Sequence, residues 1–403
     1  MEIRSKGDGD LIYVVCIVLV VKIALLAVSV LGSMVLNNRI SDLTVLWNRW
    51  DAPHYIDIAK YGYNNTGEHR YFIVFLPFYP FLIKLLSFIM DYEYAALLIS
   101  NICSAAAAIY LFRIASLDLS ERSALRSVIY FSTFPTAYFM IAGYTEGLFL
   151  LLAISCMYYA RTHRWFMSGF SGMLATATRI TGLALIPALI AEFIVQKHEQ
   201  LGQKKCGHQQ SHAKQQSHAK QQSHAKQQSH AKKAAEKETA GATASILMTP
   251  VGFLIYLMLN YVVFGDALAF MHFQREHWFK HLAPPWTGFV NAVGGFFWRP
   301  QSEIALVCIA EIVFCVLGIA CIIYSFITSR ISYSIYMLFS WLAFTSSHFW
   351  LSIPRYTLSL FPIFIIFASI SERSDFLHHT TVIISTIFLS FFTVLFTQGL
   401  WAF

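Results

Sequence analysis

Two acids, a histidine and four aromatics crowd the run Arg49-Trp50-Asp51-Ala52-Pro53-His54-Tyr55-Ile56-Asp57-Ile58-Ala59-Lys60-Tyr61-Gly62-Tyr63. Carboxylates can take a proton, and aromatic rings with polar tips can hold a sugar, so a Trp-Asp pair opening an aromatic helical turn combines both abilities. The block stands between hydrophobic stretches, where a polar cluster needs a reason. It reads as an active site on the non-cytoplasmic side of a membrane.

The elements that must position it follow from composition. Of 403 residues, 57% are hydrophobic, 16% aromatic and only 13% charged, so most long segments are too apolar to fold in water. The expected fold is an all-α polytopic membrane protein. Apolar runs place spans at 11–36, 94–116, 127–143, 145–160, 165–178, 180–196, 246–264, 303–327, 332–348, 356–371 and 381–398, about eleven helices. The first is too long for a signal-peptide core and is kept as a span. Pro77, Pro80 and Lys84 interrupt Phe75 to Met90, which is expected to lie in the interface or to enter part-way. Residues 1–403 then form a single membrane domain, with 37–93 as an extracytoplasmic catalytic loop carrying interfacial helices.

With these spans the N-terminus is cytoplasmic, Phe403 is outside, and Arg122, Arg126, Arg161, Arg164, Arg330 and Arg373 fall inside. Ten cations nonetheless fall outside: Arg39, Arg49, Lys60, Arg70, Lys84, Arg179, Arg275, Lys280, Arg299 and Arg355. Orientation alone would favour them on the other face. Binding of an anion accounts for some of them, and anchoring to lipid headgroups is the competing account for any one.

The formal charge of +7 owes much to nine lysines between Lys197 and Lys237, so no nucleic-acid partner is expected. Residues 209–232 are four copies of Gln-Gln-Ser-His-Ala-Lys, with nothing apolar larger than Ala, and 197–245 is expected to be a disordered cytoplasmic loop. Its histidines recur every six residues without a carboxylate or thiol, which does not suit a metal. The seven cysteines, six of them in apolar stretches, do not make a disulfide framework. No phosphate-cradling glycine loop or nucleotide-binding domain is present, so a transferred sugar should arrive on a lipid.

The order of motifs resembles the PIG-V family, the GPI mannosyltransferase II group and its prokaryotic relatives among the GT-C glycosyltransferases. The matching residues are Arg49-Trp50-Asp51, Tyr55, Ile58-Ala59, Gly62-Tyr63, Phe75-Leu76-Pro77, Tyr79-Pro80, Phe134-Pro135-Thr136, Tyr144-Thr145-Glu146, Thr178-Arg179-Ile180-Thr181-Gly182, Gln274, Trp278, Pro285-Trp286, Pro354-Arg355-Tyr356 and Phe361-Pro362. The resemblance runs from about residue 40 to the C-terminus. The glutamine-histidine repeat is foreign to the family, and Glu68-His69-Arg70-Tyr71 precedes Pro77 more loosely than in the eukaryotic enzymes, which leaves the acceptor open.

The resemblance implies a GT-C-like bundle that moves mannose, with inversion, from a polyprenyl (dolichyl) phosphate carrier to a glycolipid or GPI-like acceptor on the lumenal or external face. The compartment is then the endoplasmic reticulum membrane in a eukaryote and the plasma membrane in a prokaryote. One base suffices, because the phosphate departs as a stable anion. Asp51 fits the base, although it would also serve as a cap on a helix over 52–61, with Pro53 in its first turn and Gly62 at its end. Arg49, Trp50, His54 and Tyr55 surround it, the last two on its helical face. Trp50 could stack on sugar or prenyl chain, or anchor at headgroup level. Asp57 points elsewhere. Glu146 could hydrogen-bond the acceptor or orient a cation, the competing account being a Glu that only favours a helix dipole. Arg179 and Arg355, next to Tyr356, match the phosphate, since a guanidinium fork meets two oxygens. Gln274 and Trp278 would line the acceptor side, the competing account being a Trp-rich interfacial loop. The carboxylates are too scattered to argue for a metal, so no cofactor is expected. A secondary transporter is the alternative, but its paired inverted repeats are not visible here.

Overall fold

The computed structural model describes residues 7–38, 40–211, 236–298 and 303–402. Its helices, in chain order, are α1 (Gly7–Asn37), α2 (Leu43–Trp47), α3 (Ala52–Tyr61), α4 (Phe78–Leu86), α5 (Tyr92–Ala115), α6 (Glu121–Thr133), α7 (Glu146–Arg161), α8 (Trp165–Thr178), α9 (Leu185–Ser211), α10 (236–248), α11 (Val251–Phe264), α12 (Ala269–Glu276), α13 (Pro285–Trp298), α14 (Glu303–Thr328), α15 (Ile331–Thr345), α16 (Ile353–Thr357), α17 (Pro362–Ser371) and α18 (Asp375–Thr397). Among the described residues the only strand-like pairing is an isolated bridge between Leu282 and Ser347. The chain is an all-α polytopic membrane protein.

Six helical stretches are long and apolar enough to cross a bilayer: Asp10–Asn37, Tyr92–Ala115, Ile180–Leu201, Glu236–Phe264, Ile304–Thr328 and Asp375–Thr397. They coincide with six of the eleven expected spans. The other five are shorter helices with non-helical joints. Pro135 disfavours helical backbone at Phe134, whose ψ is 141°, so α6 stops there and a 3-10 turn, Ala137–Met140, leads to α7. Arg179 is extended at φ −148° and ψ 142°, which separates α8 from the 3-10 turn Ile180–Ala184. The expected partial entry near Phe75 is a 3-10 segment, Glu68–Val74, bent by 114° from α4, and counting that pair as one span makes seven.

The flanks of the segment expected to be disordered are helical, because α9 continues to Ser211 and α10 is already formed at 236. Glu192 on α9 receives Arg330 through Nε at 2.8 Å, and Glu199 receives its Nη1 at 2.9 Å, so ion pairs carry the helix past its apolar stretch. The repeat beyond Ser211 lies outside the described residues.

Helix α7 is apolar almost all round and its first fifteen residues are largely buried, which makes it the central helix. It packs along α5 on one side and α8 on the other. Gly147 allows the approach to α5: a Cβ there would stand 2.5 Å from the Ser100 carbonyl oxygen. The non-helical joint before α7 leaves carbonyls without helical partners, and α5 supplies donors to them. Ser104 Oγ donates to Met140 O at 3.0 Å, Asn101 Nδ2 to Ile141 O at 3.1 Å and Ser100 Oγ to Tyr144 O at 2.9 Å. Lys22 of α1 donates in turn to Asn101 Oδ1 and Ser104 Oγ, at 2.9 and 2.7 Å. The joint that delivers Glu146 is thereby held without regular secondary structure.

Candidate active site

Asp51 stands at the cap position of α3, but its side chain makes no capping hydrogen bond. Its Oδ2 instead accepts from Arg355 Nη1 at 2.8 Å. The capping account therefore fails for the carboxylate, which α3 and the turn before it aim at a residue 304 positions away. That turn is unusual: Trp50 has φ +55°, a left-handed conformation that a bulky side chain adopts at a cost. Tyr144 holds it, because its hydroxyl accepts from the Asp51 backbone N–H at 3.1 Å and donates to Arg49 O at 3.0 Å. Arg49 reaches the last turn of α18, donating from Nη2 to Thr397 O at 3.2 Å, where a cation also suits the helix dipole.

Arg355 sits on α16 with only 7% of its side chain exposed. Its Nε donates to Glu146 Oε1 at 2.5 Å, and the guanidinium lies 4.5 Å from the Tyr144 ring centre and 4.9 Å from that of Phe139. Glu146, fully buried at the start of α7, also receives Arg179 Nη1 on the same oxygen. Arg179 Nη1 further donates to Thr145 Oγ1 at 3.1 Å. Four of the residues singled out from sequence thus form one chain, Asp51 to Arg355 to Glu146 to Arg179. Such buried charges are tolerable only because each is paired and hydrogen-bonded.

The chain bears on two expectations. Arg179 and Arg355 already spend donors on carboxylates, Arg179 on Glu146 and Arg355 on both Glu146 and Asp51. Of the roles open to Glu146, the contacts match the orientation of a cation, since it clamps two arginines. Asp51 is the most accessible member, with 27% of its side chain exposed, and among the described residues no donor bonds its Oδ1.

Lys280 adds a cation that was not picked out individually. Its Nζ lies 5.7 Å from the Tyr356 ring centre, and Arg179 and Arg355 approach the same ring at 5.4 and 6.0 Å. Among the described residues no carboxylate lies within ion-pair reach of Lys280. Two carboxylates therefore face three cations around Tyr356. The Lys280 N–H donates to Gln274 O at 2.9 Å, and the following loop is fastened by the Leu282–Ser347 bridge and by His348 N–H donating to His281 O at 3.1 Å. Gln274 thus acts through its backbone in shaping the Lys280 loop.

The remaining candidates form the wall. His54 lies among Phe72, Phe75 and Trp278, with ring centres 4.6, 5.4 and 5.8 Å away, and burial pushes its pKa below the ordinary value. Tyr55 is buried, edge-on to Phe75 at 4.9 Å and Tyr79 at 5.2 Å, and so packs the base of α3 rather than sharing an open face with Asp51. Trp50 is 41% exposed and meets Trp401 edge-on at 5.1 Å. Asp57 lines a surface cavity of about 240 Å³ with Asn48, Lys60 and Glu93, away from Arg355. Tyr144 was visible in a matched motif, yet its role depends on a hydroxyl meeting a turn 93 residues earlier, for which no local signal exists.

The family described as Mannosyltransferase (PIG-V) matches residues 23–213. Over 155 residues the chain is 31% identical to the GPI alpha-1,6-mannosyltransferase 2 of Cricetulus griseus, covering 36% of this chain and 31% of that protein. The proteins of the same name from Rattus norvegicus and Mus musculus are also 31% identical, over 156 and 155 residues, with the same coverage. The matched segment spans about a third of the length of these curated relatives. No solved structure matches the chain. The resemblance read from the motifs is thereby shown over residues 23–213, which carry Asp51, Glu146 and Arg179 and match the PIG-V mannosyltransferase family.

Proposed function

We propose that the protein is a membrane mannosyltransferase that moves mannose from a polyprenyl-phosphate carrier, such as dolichyl phosphate mannose, to a hydroxyl of a lipid-linked glycan such as a GPI precursor. The match to PIG-V proteins supports the class of reaction. The observation that carries the site is the partly exposed Asp51 carboxylate, oriented by Arg355 through one oxygen with the other unbonded.

In this reading Asp51 Oδ1 accepts the acceptor hydroxyl proton as that oxygen bonds to the anomeric carbon. The bond from that carbon to the phosphate oxygen breaks in the same step, which inverts the configuration. The leaving electron pair stays on the phosphate, so no second acid is required. Lys280, which has no carboxylate partner among the described residues, supplies positive charge for the departing anion. Arg355 and Arg179 hold the geometry, each anchored on Glu146. With both site carboxylates engaged by arginine, the reading needs no metal to position the donor. It places the step on the lumenal or external face, the side assigned to the loop 37–93.

The test is transfer from radiolabelled polyprenyl-phosphate mannose to lipid acceptors in membranes containing the native chain or Asp51→Asn. Native membranes should label a glycolipid, and the variant should lose at least about 10²-fold in rate at equal protein level. Equal labelling by the two would refute the assignment of the base.

A further inference from the structure

Outside this chain of ion pairs two more carboxylates are as deeply buried as Glu146: Glu192, which Arg330 pairs, and Glu311. Glu311 lies on α14, eight residues past its start and so about 12 Å along the helix, within the apolar stretch Ile304–Thr328. It is 1% exposed, and among the described residues no Lys or Arg pairs with it. An acidic side chain at such depth is costly and calls for a purpose.

Its contact shows one. Glu311 Oε2 accepts from the backbone N–H of Ile353 at 2.8 Å, and its Oε1 is buried with no hydrogen-bond partner among the described residues. Ile353 is the first residue of α16, the five-residue helix that carries Arg355. Ser352, at the cap position, makes no side-chain capping bond, and Pro354 has no N–H to offer. A helix this short does not hold itself together, since nucleation fixes several residues for one hydrogen bond. Besides the ion pairs of Arg355, the side chains bonded to its backbone carbonyls are Thr136 Oγ1, donating to Pro354 O at 3.1 Å, and Thr357 Oγ1, donating to Ile353 O at 2.7 Å. Among the described residues Glu311 is the one side chain that holds an N–H of this turn.

We propose that Glu311 is a positioning residue of the transfer site: from α14 it caps α16 and so fixes Arg355 between Asp51 and Glu146. The inference rests on the mannosyl-transfer reading for its effect on rate, but the cap itself does not. What matters is an acceptor oxygen at the right reach, not a negative charge.

Two variants of the full-length chain separate reach from charge. Glu311→Gln keeps an oxygen at the same distance and removes the charge; Glu311→Asp keeps the charge and withdraws it by one methylene. Each is purified and assayed with polyprenyl-phosphate mannose, and amide hydrogen exchange is followed over 353–357. Glu311→Asp is expected to lower kcat about 10- to 100-fold with the donor KM within about twofold, because a displacement near 1 Å at a reacting constellation costs that much. Its 353–357 amides should exchange about tenfold faster than native. Glu311→Gln should recover kcat to within about threefold and native exchange. Native behaviour of Glu311→Asp, or a Glu311→Gln variant as impaired as Glu311→Asp, overturns the proposal. If the native chain transfers no mannose, the functional reading fails instead, and the exchange rates alone decide whether Glu311 caps α16.

Discussion

Asp51 and Arg355 are 304 positions apart in the chain and meet at 2.8 Å, one on the first polar loop and the other on a five-residue helix near the C-terminus. The carboxylate is oriented only where α3 and α16 are brought together. The pair therefore ties the chemistry to assembly of the whole bundle.

Arg355→Lys tests the fork. A lysine offers a single ammonium and cannot span Asp51 Oδ2 and Glu146 Oε1 in the planar geometry of Nη1 and Nε. Steady-state assay of mannose transfer should show kcat lower by about 10²-fold. Arg355→Met should in addition lower stability by about 3–5 kcal/mol, read from unfolding in detergent, because Glu146 would lose one of its two buried partners.

Tyr144→Phe removes only a hydroxyl. That hydroxyl bridges the Asp51 N–H and the Arg49 carbonyl across the strained turn at Trp50. Loss of about 1 kcal/mol of stability is expected from the missing bonds. The rate should fall by about tenfold, since the direction of Asp51 depends on the turn, and an unchanged kcat would show that the turn holds without the bridge.

Lys280→Met is expected to raise the donor KM by about tenfold while kcat changes less, and Lys280→Arg should restore the KM. The reason is that Lys280 approaches Tyr356 without a carboxylate partner, whereas Arg179 and Arg355 are already engaged. Inorganic phosphate, offered as a competitor in the same assay, should inhibit the native chain more than Lys280→Met.

His54 sets a pH dependence of stability. Burial among aromatic rings lowers its pKa in the folded chain below the ordinary 6.5, so the unfolded chain binds the proton more readily. Its contribution is fully present above pH 6.5. It is lost as pH falls from there toward the folded value, at up to about 1.4 kcal/mol per pH unit. Thermal unfolding of the native chain and His54→Phe from pH 7.5 to 5 should show a shallower acid decline in the variant; parallel curves would mean that another group governs it.

The sequence by itself determined the class of fold and the residues worth watching. Hydropathy and helical period are local properties, so an all-α membrane bundle and six of its long spans could be read directly. Asp51, Arg179 and Arg355 stood out because charge beside or within apolar stretches is expensive unless it is used, and Glu146 through the family resemblance. Tertiary structure decided what each is used for. Whether an arginine waits for a phosphate or clamps a carboxylate depends on which side chain lies within about 3 Å, and contacts between α3, α7 and α16 leave no periodic trace in the chain. The same holds for the shortened spans, where prolines mark a break but only packing against α5 shows how the exposed carbonyls are satisfied. It holds again for Tyr144, Lys280 and Glu311, whose partners are backbone atoms, rings and turns brought near by the fold rather than by sequence.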